Sequence, residues 1–181
     1  MTPDPQTSER ATRINENSRL AYIALGSNLG ESELILASII PRLQSLSTSH
    51  IISSRWIRTR PSKCPPGSPD FLNGVVAIRP LPGETPESLL AKLQELEKEF
   101  GRTPKKETNE PRPLDLDLIT FGEERRDTPH LTLPHPRAAQ REFVLQPLAE
   151  IAPDLVFPGQ TENVISCLSK LRGHAPSSSQ F

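Results

Sequence analysis

The stretch "PRPLDLDLITFG", residues 111–122, holds two carboxylates two residues apart, Asp115 and Asp117. In a strand, side chains at i and i+2 share a face, so these two would stand roughly 6.5–7 Å apart at their Cα atoms. Leu114, Leu116 and Leu118 would then point the other way, into a core. Two like charges this close raise one another's pKa unless something positive lies between them. A Mg²⁺ ion answers that need, since it takes oxygen ligands, often one or two carboxylates, and fills its octahedron with water and substrate phosphates. By itself D-x-D also describes a strand face with two solvated aspartates. The flanking charges favour the metal seat. Arg102, Lys105, Lys106 and Arg112 stand upstream; His135, Arg137 and Arg141 stand downstream. Such donors hold phosphate oxygens and neutralise charge that moves in phosphoryl transfer.

Other polar groups accompany the pair. Gln94 and Glu97 lie three apart on the flank of a helix, placed either to contact a nucleotide or simply to meet solvent. Phe71 and Asn73 alternate onto one strand face, an aromatic platform beside an amide. That combination suits a flat heterocycle, with Phe143 as the second side of a stack, although a phenylalanine read alone is more often core. "ALGSNLG" (24–30) lacks both G-x-G-x-x-G and G-x-x-x-x-G-K-[ST] and reads as a tight strand-to-helix turn.

The elements that must position these groups follow from periodicity. Strands are expected at 20–26, 50–59, 71–80 and 114–121, with a short one at 131–135. A helix is expected over 31–47, kinked or divided at Pro41. The clearest helix is 85–101, with Thr85 as N-cap, Pro86 at the first helical position and Gly101 at the C-terminal cap. A last helix spans 164–171. Residues 60–70 form a proline-rich loop, 102–113 a charged loop and 136–150 a basic segment. The loops are too unequal for repeated parallel units, so an α+β domain is expected over 20–172, with a polar, disordered tail at 1–19 and a polar, flexible one at 173–181.

The 181 residues suit one domain. A net charge of −1 gives no reason to expect nucleic acid or an anionic membrane as partner. Twenty prolines, about twice the usual ~5%, imply stiffened loops. Cys64 and Cys167 have no metal spacing and read as free thiols of a reducing compartment. No apolar run reaches the ~18–20 residues of a membrane span. The first nineteen residues carry three acidic groups and no apolar core, so no secretory signal is expected. A soluble cytoplasmic monomer is the expectation.

Five motifs occur in order: "YIALGSNLG", "DFLNGVV", "LQELEKEFGR", "PRPLDLDLITFG" and "LTLPHPRAAQREFVLQPLAEIAPDLVFP". This series, over about residues 20–160, resembles the 6-hydroxymethyl-7,8-dihydropterin pyrophosphokinases of folate biosynthesis. The resemblance implies a ferredoxin-like α+β sandwich, and transfer of pyrophosphate from MgATP to the hydroxymethyl group of the reduced pterin with release of AMP. It further implies two Mg²⁺ ions on Asp115 and Asp117, with Gln94 and Glu97 at the nucleotide. Arg102, Arg112, His135 and Arg141 would meet phosphates, Leu118 would lie near adenine, Asn73 would hydrogen-bond a pterin that Phe71 and Phe143 clamp, and Asp115 would border that pterin as well as the metal. The chain departs from the usual family pattern at Arg60, Glu110, His130 and Pro136. The altered 60–70 loop and Glu110 motivate a second reading, a non-catalytic pterin- or nucleotide-binding subunit.

Overall fold

The computed structural model describes residues 20–61, 64, 66–103 and 110–173. The expected tail 1–19, residues 174–181 of the other tail, and Lys105 and Lys106 lie outside the described residues.

The first described element is β1 (Ala21–Ser27), in which every residue but Ala24 is buried. It continues through α1 (Ser32–Gln44), β2 (Ile52–Ser53), β3 (Ile57–Thr59), β4 (Phe71–Ile78), α2 (Pro86–Glu99) and β5 (Asp115–Phe121). The sheet order is β2–β4–β1–β5, with β3 also on β4, and all pairings are antiparallel. Taking β2 and β3 as one broken strand, this is the βαββαβ connection of a ferredoxin-like fold. The short β6 (Arg126–Asp127) and β7 (Thr132–Leu133) pair with each other, and a 3₁₀ turn leads into α3 (Glu142–Ile151) and α4 (Val164–Gly173).

Alternation decides which face each side chain serves. Ile23, Leu25, Val76, Ile78, Leu114, Leu116 and Leu118 turn to one face, where α1 adds Leu36, Ile39 and Leu43 and α2 adds Leu89, Leu93 and Leu96. Fully burying one such leucine contributes about 2 kcal/mol. Tyr22, Val75, Ala77 and Ile119 turn to the other face and pack against Val144, Leu145, Leu148, Val164 and Leu168 of α3 and α4. That second layer covers one end of the sheet. At the other end Ala24, Gly26, Asp115, Asp117, Asn73 and Phe71 form the floor of an open cavity.

Several expected elements differ in detail. Pro41 does not divide α1: its fixed φ is helical, and Ser45 N–H still donates to Pro41 C=O at 3.3 Å. The strand expected at 50–59 breaks at residues 54–56. There the Ser54 hydroxyl accepts the Val75 N–H at 3.0 Å. Trp56 lies against Gly74, where any Cβ would overlap its ring. The α2 boundaries hold, with Thr85 and Ser88 forming a capping box and Gly101 at φ +91°. The basic segment 136–150 holds most of α3, which runs on to Ile151 and buries Val144, Leu145, Pro147 and Leu148. The last helix runs to Gly173, the first residue of the tail expected at 173–181. Among the described residues no helix is long and apolar enough to cross a membrane.

Candidate active site

The cavity measures about 860 Å³, within the usual range of small-molecule sites. Its floor is built by register. Gly26 of β1 stands between Asn73 of β4 and Asp115 of β5, while Ala24 stands between Val75 and Asp117. Small residues on the middle strand keep the floor open between the amide and the carboxylates. A Cβ on Gly26 would lie 3.1 Å from Asn73 Oδ1.

The expected cations divide between the two aspartates. Arg102 Nη1 is 3.0 Å and Arg112 Nη1 3.5 Å from Asp115 Oδ1. Arg141 Nη1 is 3.7 Å and His135 Nε2 4.0 Å from Asp117 Oδ2. Arg112 Nε is buried and finds no hydrogen-bond acceptor among the described residues.

Backbone contacts set His135. Its backbone N–H donates to Ile119 C=O at 2.8 Å, anchoring that stretch of main chain to β5. Arg137 N–H donates to His135 Nδ1 at 3.2 Å, so the neutral ring carries its proton on Nε2, toward Asp117. Burial lowers the His135 pKa, opposed by Asp117 and assisted by Arg141 and Arg137. His135 is therefore a neutral N–H donor near neutral pH.

At the other end of the floor, Phe71 and Asn73 share a face with Thr59 of β3. Asn73 is buried and donates from Nδ2 to Thr59 Oγ1 at 2.7 Å, which leaves its Oδ1 beside Gly26. Phe143 is 38% exposed at the cavity wall, and the Arg141 guanidinium sits 5.4 Å from its ring centre. Phe71 and Phe143 thus both border the space that Asn73 faces.

Three expected site residues do not line the cavity. Gln94 is exposed on α2. Glu97 is 5% exposed. Its carboxylate pairs with Arg102 and accepts the Leu116 N–H at 2.7 Å. Burial pushes the Glu97 pKa up to about 7, against the Leu116 hydrogen bond and the Arg102 charge. Leu118 is buried with its side chain in the α1/α2 core. The Leu116 N–H points off the outer edge of β5, so alternation turns the Leu118 N–H and C=O to that same edge.

The cavity also includes residues that composition and spacing did not single out: Gly26, Gln140, Glu142 and Gln146. Strand alternation from Asp115 across to β1 could have found Gly26. The others sit on a turn and a helix whose placement over the sheet has no short-range signal.

A model of the 7,8-dihydro-6-hydroxymethylpterin-pyrophosphokinase (HPPK) family matches residues 22–153. A Synechocystis protein described as 2-amino-4-hydroxy-6-hydroxymethyldihydropteridine pyrophosphokinase is 38% identical over 152 residues, 83% of this chain and 75% of that protein. A Haemophilus influenzae protein of the same description is 40% identical over 139 residues, 76% of this chain and 84% of its own length. Among solved structures, a Plasmodium falciparum HPPK-DHPS gives a TM-score of 0.65 at 13% identity. It covers 83% of this chain but only 45% of that one, and it speaks for the fold alone. Because the matched span 22–153 encloses the whole cavity floor and every cation around the two aspartates, the chain belongs to the HPPK family.

Proposed function

We propose that the protein transfers the pyrophosphoryl group of MgATP to the hydroxymethyl oxygen of 6-hydroxymethyl-7,8-dihydropterin and releases AMP. The observation that carries this reading is the division of one floor into two ends. Asp115 and Asp117, each with its own cation pair, hold one end; Asn73 with two phenylalanines holds the other.

Asp115 and Asp117 would hold Mg²⁺, two ions in this reading. Two carboxylates on one face with open space above them suit a hard cation that takes its remaining ligands from water and phosphate. Among the described residues no cluster of three or more His, Cys, Asp or Glu offers a complete protein cage, which fits a metal that arrives with its nucleotide. When bound, the metal neutralises phosphate charge and orients the reacting oxygens. Arg102, Arg112 and Arg141 hold phosphate oxygens, and His135 adds a neutral donor. The backbone edge at Leu118 would read adenine, with Gln94 at the same nucleotide end. Glu97 would act there through Arg102 and Leu116.

The pterin lies between Phe71 and Phe143, with the Asn73 amide oxygen accepting one of its N–H groups. Its hydroxymethyl oxygen then faces the β-phosphorus of ATP. A bond forms from that oxygen to the β-phosphorus as the bond from the bridging oxygen to the β-phosphorus breaks. AMP leaves with the electron pair, and the hydroxyl proton passes to solvent. In-line displacement of this kind depends on positioning and charge, with no covalent enzyme intermediate. Both substrates are small molecules, and the reading takes the protein as a cytoplasmic monomer.

The test is AMP release from MgATP with and without the hydroxymethyl-dihydropterin. Pterin-dependent AMP with a one-to-one diphosphorylated pterin product is expected. AMP no greater than in the pterin-free control rejects the reading.

A further inference from the structure

Asn28 follows β1 directly, is 2% exposed and does not line the cavity. Its hydrogen bonds reach two separate chain segments. Asn28 Oδ1 accepts the Arg112 N–H at 3.0 Å, and the Asn28 N–H donates to Arg112 C=O at 3.2 Å. Asn28 Nδ2 donates to Pro69 C=O at 3.3 Å.

Two bonds to one residue fix both the position and the tilt of the Arg112 backbone. Arg112 in turn reaches Asp115, and its Nε is the buried donor without an acceptor among the described residues. Pro69 lies two residues before Phe71, on the approach to the ring-stacking end of the floor. Neither Pro69 nor Arg112 belongs to a helix or strand. One buried amide therefore joins the segment entering the pterin end to the arginine of the phosphate end.

We propose that Asn28 is a positioning residue that couples the two ends of the cavity, so that occupation of the pterin end sets Arg112 for phosphate and the reverse. A displacement of Pro69 is passed to Arg112 through a side chain that has no slack, because its oxygen and its nitrogen are both engaged. Coupling of this kind is reciprocal between the two ligands.

The inference rests on the proposed two-substrate reading, and calorimetry separates the two. The wild-type protein is titrated with α,β-methylene-ATP and Mg²⁺, with 6-hydroxymethyl-7,8-dihydropterin, and with each in the presence of the other. Failure of the wild type to bind the nucleotide analogue with Mg²⁺, or to bind the pterin when that nucleotide is present, rejects the substrate reading itself. With binding established, each ligand is expected to tighten the other by about 5-fold or more. Asn28→Asp keeps an acceptor for the Arg112 N–H but removes the donor to Pro69. It is expected to bring the coupling factor close to 1 while nucleotide affinity alone changes only a few-fold. Asn28→Ala removes both contacts and is expected to lose coupling and weaken nucleotide binding as well. Should Asn28→Ala fail to fold, the near-isosteric Asn28→Asp decides. A merely structural role would lower the melting temperature and both affinities without changing the coupling factor. Uncoupled binding in the wild type, or a wild-type coupling factor in Asn28→Asp, overturns the proposal.

Discussion

Glu97 accepts the amide hydrogen of Leu116, the residue between the two aspartates, at 2.7 Å. The same carboxylate pairs with Arg102, which pairs with Asp115. A helix side chain thus satisfies the outward backbone of an edge strand and also aims a cation at the site. An open strand edge invites pairing with other chains, and this contact closes part of it.

Glu97→Ala leaves the Leu116 N–H without its acceptor and frees Arg102. Stability should fall by about 1–3 kcal/mol, the usual cost of an orphaned buried donor. AMP release should fall with it. Urea denaturation with a parallel activity assay measures both; unchanged stability would mean the contact contributes nothing.

The Glu97 carboxyl also gives the fold a pH dependence. Its folded pKa of about 7 lies above the ordinary 4.5, so folding favours the protonated form. That contribution is complete below pH 4.5 and is lost as pH rises through about 7. Glu97→Gln cannot ionise and lacks this slope. The melting temperature of wild type minus that of the variant should therefore fall between about pH 5 and about pH 7.5. A difference that stays flat or rises over that interval contradicts the expected direction.

Asp117→Ala removes one carboxylate of the pair and the partner of Arg141 and His135. AMP release should drop by about 100-fold or more, given the part such a group plays in metal-assisted transfer. The side chain is 36% exposed, so the melting temperature should barely move. Near-normal turnover would refute a metal-binding role.

Gly26→Ala places a methyl group 3.1 Å from Asn73 Oδ1, the amide proposed to hold the pterin, and in ordinary contact at 3.9 Å with the Asp115 Cβ. The KM for the pterin should rise about 10-fold, in line with the ~1–3 kcal/mol that one methyl group is worth in a pocket. The KM for ATP should stay within about 2-fold, as that displacement touches no phosphate contact. Equal rises in both KM values would argue for general damage to the sheet.

Gly74→Ala addresses packing alone. A Cβ there overlaps the Trp56 ring, which is rigid and held against the α1/α2 core. Overpacking of this kind costs about 1–3 kcal/mol, readable as a lower urea midpoint.

Local pattern sufficed for much of the protein. Alternation at Leu114, Asp115, Leu116, Asp117 and Leu118 assigned each side chain to its face, since a strand has only two faces and one of them must be dry. Capping chemistry at Thr85, Pro86 and Gly101 fixed α2, because each residue answers a specific backbone need. Proline weighed less than local rules suggest. Pro41 and Pro147 both lie inside helices, where buried neighbours outweigh one missing hydrogen bond. The break at residues 54–56 was not visible, because it depends on Trp56 meeting Gly74 of a different strand.

The two carboxylates, their orientation and the motif series that names the family were therefore determined by the sequence alone. Tertiary structure decided which cation serves which aspartate, made Glu97 a buried support with its pKa near 7, and joined Pro69 to Arg112 through Asn28. The physical reason is separation along the chain. Asn28 and Arg112 are 84 residues apart, and contacts at that range depend on how strands order and helices dock, which short-range periodicity does not encode.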